Sequence, residues 1–186
     1  VVKKEVVKGI DPQGRVALIF NGKLDWSSKE LYNLQTLSDY LNIRLLEIIR
    51  EEKSGTYGIY SFYSQEKFPE SSYQFQIGFG CDPTRADELT DLIFRQLDSL
   101  KNTPPAESYI QKLKEQQKKT REIQLKQNES LQGILFFLYE NKLPLDEIKG
   151  YDNWINELKA GDIQNAAKTY LNNNRYVLVT LKNEQK

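Results

Sequence analysis

The sequence predicts an α+β domain built as two layers, a mostly antiparallel β-sheet with helices packed on one of its faces. Tyr73, Phe75, Ile77 and Phe79 alternate with Gln74, Gln76 and Gly78, the period of a strand with one buried and one open face. Leu31, Leu34, Leu37, Leu41, Leu45 and Ile48 recur at helical spacing, as expected of a long helix lying against such a sheet. The periodic segments run in the order strands, helix, strands, helices, strand. No linker, repeat or low-complexity segment separates them, so residues 1–186 read as a single domain.

The opening stretches, 1–7 and 15–21, read as two strands joined by the turn Ile10-Asp11-Pro12-Gln13-Gly14. Val16, Leu18 and Phe20 alternate with Ala17 and Ile19, so both faces are apolar enough to suggest a covered sheet. Ser27 or Ser28 can then cap the long helix, which Ile43, Leu46 and Ile49 widen and which Gly55 should stop. Strands 56–64 and 73–81 follow. Asp82-Pro83-Thr84 caps a helix over 85–99 with Leu89, Leu92, Ile93 and Leu97 inward, and Pro104-Pro105 opens another running to Asn128. A further helix is dense in Leu131, Ile134, Leu135, Phe137 and Leu138, and its aromatics Phe136, Phe137 and Tyr139 are expected in the core. Short helical turns over 144–157, a helix over 162–172 with Ile163, Ala166, Ala167 and Tyr170 inward, and a strand over 176–181 complete the chain.

Composition excludes several functions. The chain has no histidine and one cysteine, Cys81, so it offers neither a histidine-based metal site nor a thiolate cage. Cys81 ends an apolar strand and reads as a small buried hydrophobe, with no histidine to activate it. Lys+Arg and Asp+Glu number 26 each, which leaves no net field for nucleic acid or an anionic membrane. The lysine-rich run 112–121 is interrupted by glutamate and carries no interleaved aromatic, so a solvated helix face accounts for it. No apolar span reaches membrane-crossing length. With no methionine at Val1 or elsewhere, the chain reads as a piece of a longer protein, and its compartment is not encoded in it.

The functional candidates lie where the long helix gives way to the next strand, in Arg50-Glu51-Glu52-Lys53-Ser54-Gly55-Thr56-Tyr57-Gly58. Arg50 has an ordinary reading as part of a solvated helix end, and Tyr57 one as a strand aromatic packed on a neighbour. Against these stand the flanking Gly55 and Gly58, which let another backbone approach the tyrosine hydroxyl. Tyrosines 57, 60, 63 and 73 are expected to be partly exposed, forming a surface for a peptide or a partner domain.

Leu45-Leu46-Glu47-Ile48-Ile49-Arg50-Glu51 with Gly55-Thr56-Tyr57-Gly58, then Phe79-Gly80-Cys81-Asp82-Pro83, then Asp162 to Leu171 before Tyr176-Val177-Leu178-Val179, resemble segments of one known family in the same order. The family is the pitrilysin/insulinase group of inverted zinc metallopeptidases, and the resemblance is to its C-terminal, non-catalytic domain as found in bacterial-type zinc proteases. It implies a LuxS/processing-peptidase-type fold, with Arg50 binding substrate backbone and Tyr57 donating to the substrate carbonyl or developing oxyanion. It also implies that the zinc sits in an N-terminal catalytic domain of the same polypeptide, and that this chain holds no metal or other cofactor. The partners implied are that N-terminal part and a peptide or unfolded protein substrate; the compartment implied is periplasmic or cell-envelope. One departure is Leu131, where the family often carries tryptophan. The alternative is a catalytically inactive member serving as an assembly scaffold or protein-binding subunit.

Overall fold

The computed structural model of the protein describes residues 1–52 and 56–184, and the side chains of all of these except 50–52, 56 and 57. Five strands, β1 (Val2–Val7), β2 (Gly14–Lys23), β3 (Thr56–Glu66), β4 (Ser72–Cys81) and β5 (Tyr176–Lys182), form one sheet in the order β1-β5-β2-β4-β3. Only β1 and β5 run parallel; the remaining neighbours are antiparallel, so the mostly antiparallel α+β expectation holds. The two opening strands are not neighbours. The closing strand β5 lies between them, with Val2 opposite Val177 and Phe20 opposite Tyr176. β1 is largely exposed, and the outer face of β2 is only half-buried at Ala17 and Ile19, so a sheet covered on both sides is not what forms.

The long helix α1 (Ser28–Glu52) packs on β3, and α2 (Ala86–Asn102) packs on β2. Ser27 caps α1, its hydroxyl accepting from the Glu30 N–H at 3.2 Å and so satisfying one of the first-turn donors. The helix stop expected at Gly55 lies outside the described residues. Leu34, Leu41, Leu45 and Ile48 are buried as the spacing predicts; Leu31 is half-buried, and Tyr32 and Tyr40 join the interior instead. Asp82 caps a short turn, Pro83–Arg85, ahead of α2, its carboxylate accepting from the Thr84 N–H at 2.8 Å and the Thr84 hydroxyl at 2.6 Å. These bonds hold the Asp82 carboxyl below its ordinary range. Leu18, Phe20, Phe75, Ile77 and Phe79 of the sheet are buried, as are Leu89, Ile93 and Leu97 of α2. Each aliphatic or aromatic side chain so removed from water contributes roughly 1.5–3 kcal/mol.

Tyr73 shares this buried face, contrary to the exposure expected of it. Its hydroxyl donates to the Tyr170 carbonyl at 3.0 Å, and the rings meet edge-on at 4.9 Å, so the polar end is satisfied inside. Tyr170 in turn donates to the Glu30 carboxylate. Burial first, and that carboxylate second, push the Tyr170 hydroxyl far above its usual range. Cys81 is buried, and burial raises its thiol in the same way.

The described chain groups into two compact units, residues 1–104 with 163–186, and residues 105–162. Within the second, α3 (Glu107–Lys126) packs on α4 (Asn128–Glu140) and α5 (Glu147–Glu157). The short helical turns expected over 144–157 form one helix over Glu147–Glu157. Arg121 is buried here. It donates to the Ile148 carbonyl at 3.0 Å, lies 4.8 Å from the Tyr151 ring centroid and sits 3.8 Å from the Asp152 carboxylate. Of the run 112–121 expected to be a solvated face, the lysines at 112, 118 and 119 are solvated, whereas Gln117 and Arg121 are buried against α3's neighbours in this unit. The core assignment of the α4 aromatics fails: Phe136 is 64 % and Tyr139 85 % exposed, and Phe137 is half-buried. α4 buries one side, at Leu138, while Leu131, Leu135, Phe136 and Tyr139 line a shallow groove on another. A last helix, α6 (Ala160–Tyr170), buries Ile163, Ala166, Ala167 and Tyr170 as the spacing requires.

Candidate functional site

α1 and β3 are joined by three side chains on facing elements. Ser38 and Asn42, one turn apart on α1, converge on Ser61 in β3. The Asn42 amide donates to the Ser61 carbonyl at 3.0 Å and accepts from the Ser61 N–H at 2.6 Å. Ser38 donates to the same carbonyl at 3.0 Å, and the Ser61 hydroxyl donates to the Ser38 carbonyl at 2.9 Å. β3 is an edge strand, paired only with β4. Asn42 therefore does at Ser61 what a neighbouring strand would do, satisfying the backbone N–H and carbonyl together. This pin fixes how far along α1 the strand lies.

Nearer the connection, the β3–β4 register shifts between Thr56 and Gly58: Thr56 pairs with Cys81 and Gly58 with Gly80. Two steps on one strand match one on the other, a β-bulge that turns the strand end. Gly58 has φ of 154°, which L side chains rarely adopt, so this position is one glycine suits. Tyr57 lies within the bulge. The side chains of Arg50 and Tyr57 lie outside the described residues, so the pair appears here only as backbone, Arg50 near the end of α1 and Tyr57 at the start of β3.

Beyond the bulge, the face of the sheet turned away from α1 and α2 is partly aromatic. Tyr60 and Phe62, 51 % and 43 % exposed, stack at 6.0 Å between ring centroids with planes 18° apart. The Tyr60 ring lies over Gly78, where an added Cβ would come within 2.5 Å of it. Glycine at 78 thus lets the ring lie flat on the sheet. Beside it opens a cavity of about 510 Å³, walled by Tyr60, Ala17, Val179 and Leu181, with backbone at Gly58 and Gly80 and with Gln13 and Arg15 also lining it. Among the described residues no acidic side chain lines it. Among the described residues no group of three metal-ligating side chains comes together, and no described helix is long and apolar enough to cross a membrane.

The sequence singled out the glycines flanking Tyr57 but missed Asn42, Ser61, Gly78 and Arg15. A polar Asn42 one turn after Ser38 inside an apolar helix, and glycines at alternate positions 78 and 80 on the outward side of β4, were the available signals.

The family described as peptidase M16 inactive domain matches residues 1–117. The chain belongs to that family. Among curated relatives of this M16 domain, the probable zinc protease PqqL of Haemophilus influenzae is 30% identical over 90 residues, 48% of this chain and 10% of the relative. The zinc protease YmxG of Bacillus subtilis is 28% identical over 156 residues, 82% of this chain and 36% of the relative. The M16 domain thus spans about a third or less of the curated relatives it matches. A solved peptidase M16 inactive domain from Pseudomonas fluorescens superposes with a TM-score of 0.81 at 17% identity, over 100% of this chain and 44% of that one. The periplasmic protease PqqL from Escherichia coli does so with a TM-score of 0.74 at 17% identity, over 98% and 20%. At such identities the likeness establishes the fold, and it agrees with the resemblance read from the segments around Arg50 and Tyr57.

Proposed function

We propose that residues 1–186 are the C-terminal domain of a longer zinc endopeptidase, closing over a peptide or unfolded protein segment opposite a catalytic domain of the same polypeptide. The observation that carries this reading is the corner where α1 meets β3, pinned by Asn42 and bulged at Tyr57, in a domain whose family and relatives are peptidase-like. In this reading Arg50 holds a substrate backbone carbonyl through its planar fork. Tyr57 donates to the oxyanion that develops at the scissile carbonyl. This chain's residues do not fit a zinc site, having no histidine, so the metal and the activation of water belong to the other domain. The domain contributes position and charge stabilisation. The compartment we propose is periplasmic or cell-envelope, supported by the fold shared with the periplasmic PqqL structure.

Steady-state kinetics of the full-length protein on a quenched-fluorescent peptide tests this. Tyr57→Phe lowers kcat and kcat/KM together by roughly 100-fold, the usual effect of removing one oxyanion donor. Arg50→Lys keeps the charge, loses the fork and mainly raises KM. Unchanged kinetics in both variants, with normal melting, returns the pair to a solvated helix end and a packing tyrosine. A second reading, a scaffold or protein-binding subunit without activity, is favoured by the exposed apolar face of α4. A full-length protein lacking an inverted His-x-x-Glu-His motif and any peptidase activity would select it.

A further inference from the structure

We infer that the cavity on the face of the sheet turned away from α1 and α2, beside Tyr60, is a binding subsite for the C-terminal residue of a peptide, its free carboxylate held by Arg15 and its apolar side chain seated on the sheet. The inference rests on the reading above only in that the ligand is a peptide; the chemistry comes from the cavity. Its walls are Ala17, Val179, Leu181 and the ring of Tyr60. At about 510 Å³ it falls within the range of small-ligand sites, which pair apolar walls with a few polar groups that orient the ligand.

Charge decides what those polar groups select. Arg15 is exposed and lines the cavity, and among the described residues no carboxylate pairs with it. Among the described residues the cavity lining holds no acidic side chain either, so their local field favours an anion. A guanidinium binds a carboxylate through two parallel N–H donors, a geometry that a lysine would not match. A single cation beside apolar walls suits a group that is itself apolar with one negative charge. An aliphatic C-terminal residue has this form. An internal glutamate would leave the walls poorly filled, and a nucleic-acid backbone would meet one cation where it needs several.

The wall itself is built for an open floor. Gly78 allows the Tyr60 ring to lie flat, and Phe62 stacks on that ring. Gly58 and Gly80 carry no side chains of their own to shield the backbone at the end nearest the bulge.

The test is fluorescence polarisation of a labelled pentapeptide ending in Val-Leu, titrated with full-length protein in the presence of a metal chelator so that the peptide is bound and not cleaved. The free-acid peptide binds at least tenfold more tightly than the same peptide with an amidated terminus. Arg15→Gln weakens the free acid about tenfold and leaves the amide unchanged. Ala17→Leu fills the cavity and weakens both. Equal binding of acid and amide, or unaltered binding to the Arg15→Gln variant, overturns the subsite. Equally tight binding of an amidated peptide with an internal glutamate overturns the assignment to the terminus. The two proposals fail separately: a kinetic effect of Tyr57→Phe without an Arg15 effect removes the subsite alone. An Arg15 effect with normal Tyr57→Phe kinetics removes the catalytic role alone and leaves the subsite standing.

Discussion

The two faces of one sheet carry the contrast that organises this molecule. On the helix side Phe75, Ile77 and Phe79 of β4 are sealed under α1 and α2, whereas one residue over, on the same strand, Gln76, Gly78 and Gly80 look outward. The strands are common to both faces, so propensity cannot distinguish them. The alternation of side chains does, since each successive residue enters the opposite environment. The sealed face carries the stability, and the open face carries a cavity, stacked exposed aromatics and Arg15, which pairs with no carboxylate among the described residues. The lesson is that mutations on alternate residues of one strand should divide cleanly into those that unfold the chain and those that leave it folded.

Phe75→Ala should have the largest effect, about 3–5 kcal/mol of destabilisation, because a ring with no exposure leaves a cavity that its neighbours only partly fill. Urea unfolding followed by tryptophan fluorescence measures it, and a loss under about 1 kcal/mol would erase the difference between the faces. Asn42→Ala comes next. It strips the partner from the Ser61 N–H and one of two donors from the Ser61 carbonyl, at about 1–3 kcal/mol. Amide hydrogen exchange should quicken at Ser61 more than at Ile77 on the interior strand β4, which locates the loss at the edge.

Gly78→Ala is expected to cost about 1 kcal/mol or less, since the group it strikes is the outer end of the half-exposed Tyr60 ring, which can swing away. In the Tyr60→Ala background the cost should vanish, and a double-mutant cycle showing no coupling would break the assigned contact. Phe62→Ser should be the mildest, within about 0.5 kcal/mol of wild type, because 43 % of the residue is already exposed on an open face. A larger loss would mean that the open face is not open in solution.

Much of this was legible in the sequence. The alternation in β4, the stripe of α1, the inward set of α2 and the buried end of α6 follow from periodicity, because a residue's place in a regular element dictates which neighbours share its side. The absence of histidine decided the missing zinc chemistry without any structure. Tyr73 was misjudged for a specific reason. A tyrosine's hydroxyl makes it look like a surface residue, and only the Tyr170 carbonyl, 97 positions away, satisfies that hydroxyl inside. The α4 aromatics were misjudged in the other direction, since a helix apolar on several sides does not declare which side meets a neighbour.

What the chain determined by itself, then, is local: where helices and strands form, which residues share a face, and which metal chemistry it cannot perform. What only the tertiary structure decided is pairing at a distance. β5 enters between β1 and β2, Asn42 closes the edge of β3 at Ser61, and Arg15 comes to line a cavity with Val179 and Leu181, more than 160 residues further along. The physical reason is that periodicity records only how apolar each position is. The choice of partner depends on backbone groups and shapes that meet after the chain has closed loops far longer than any periodic window.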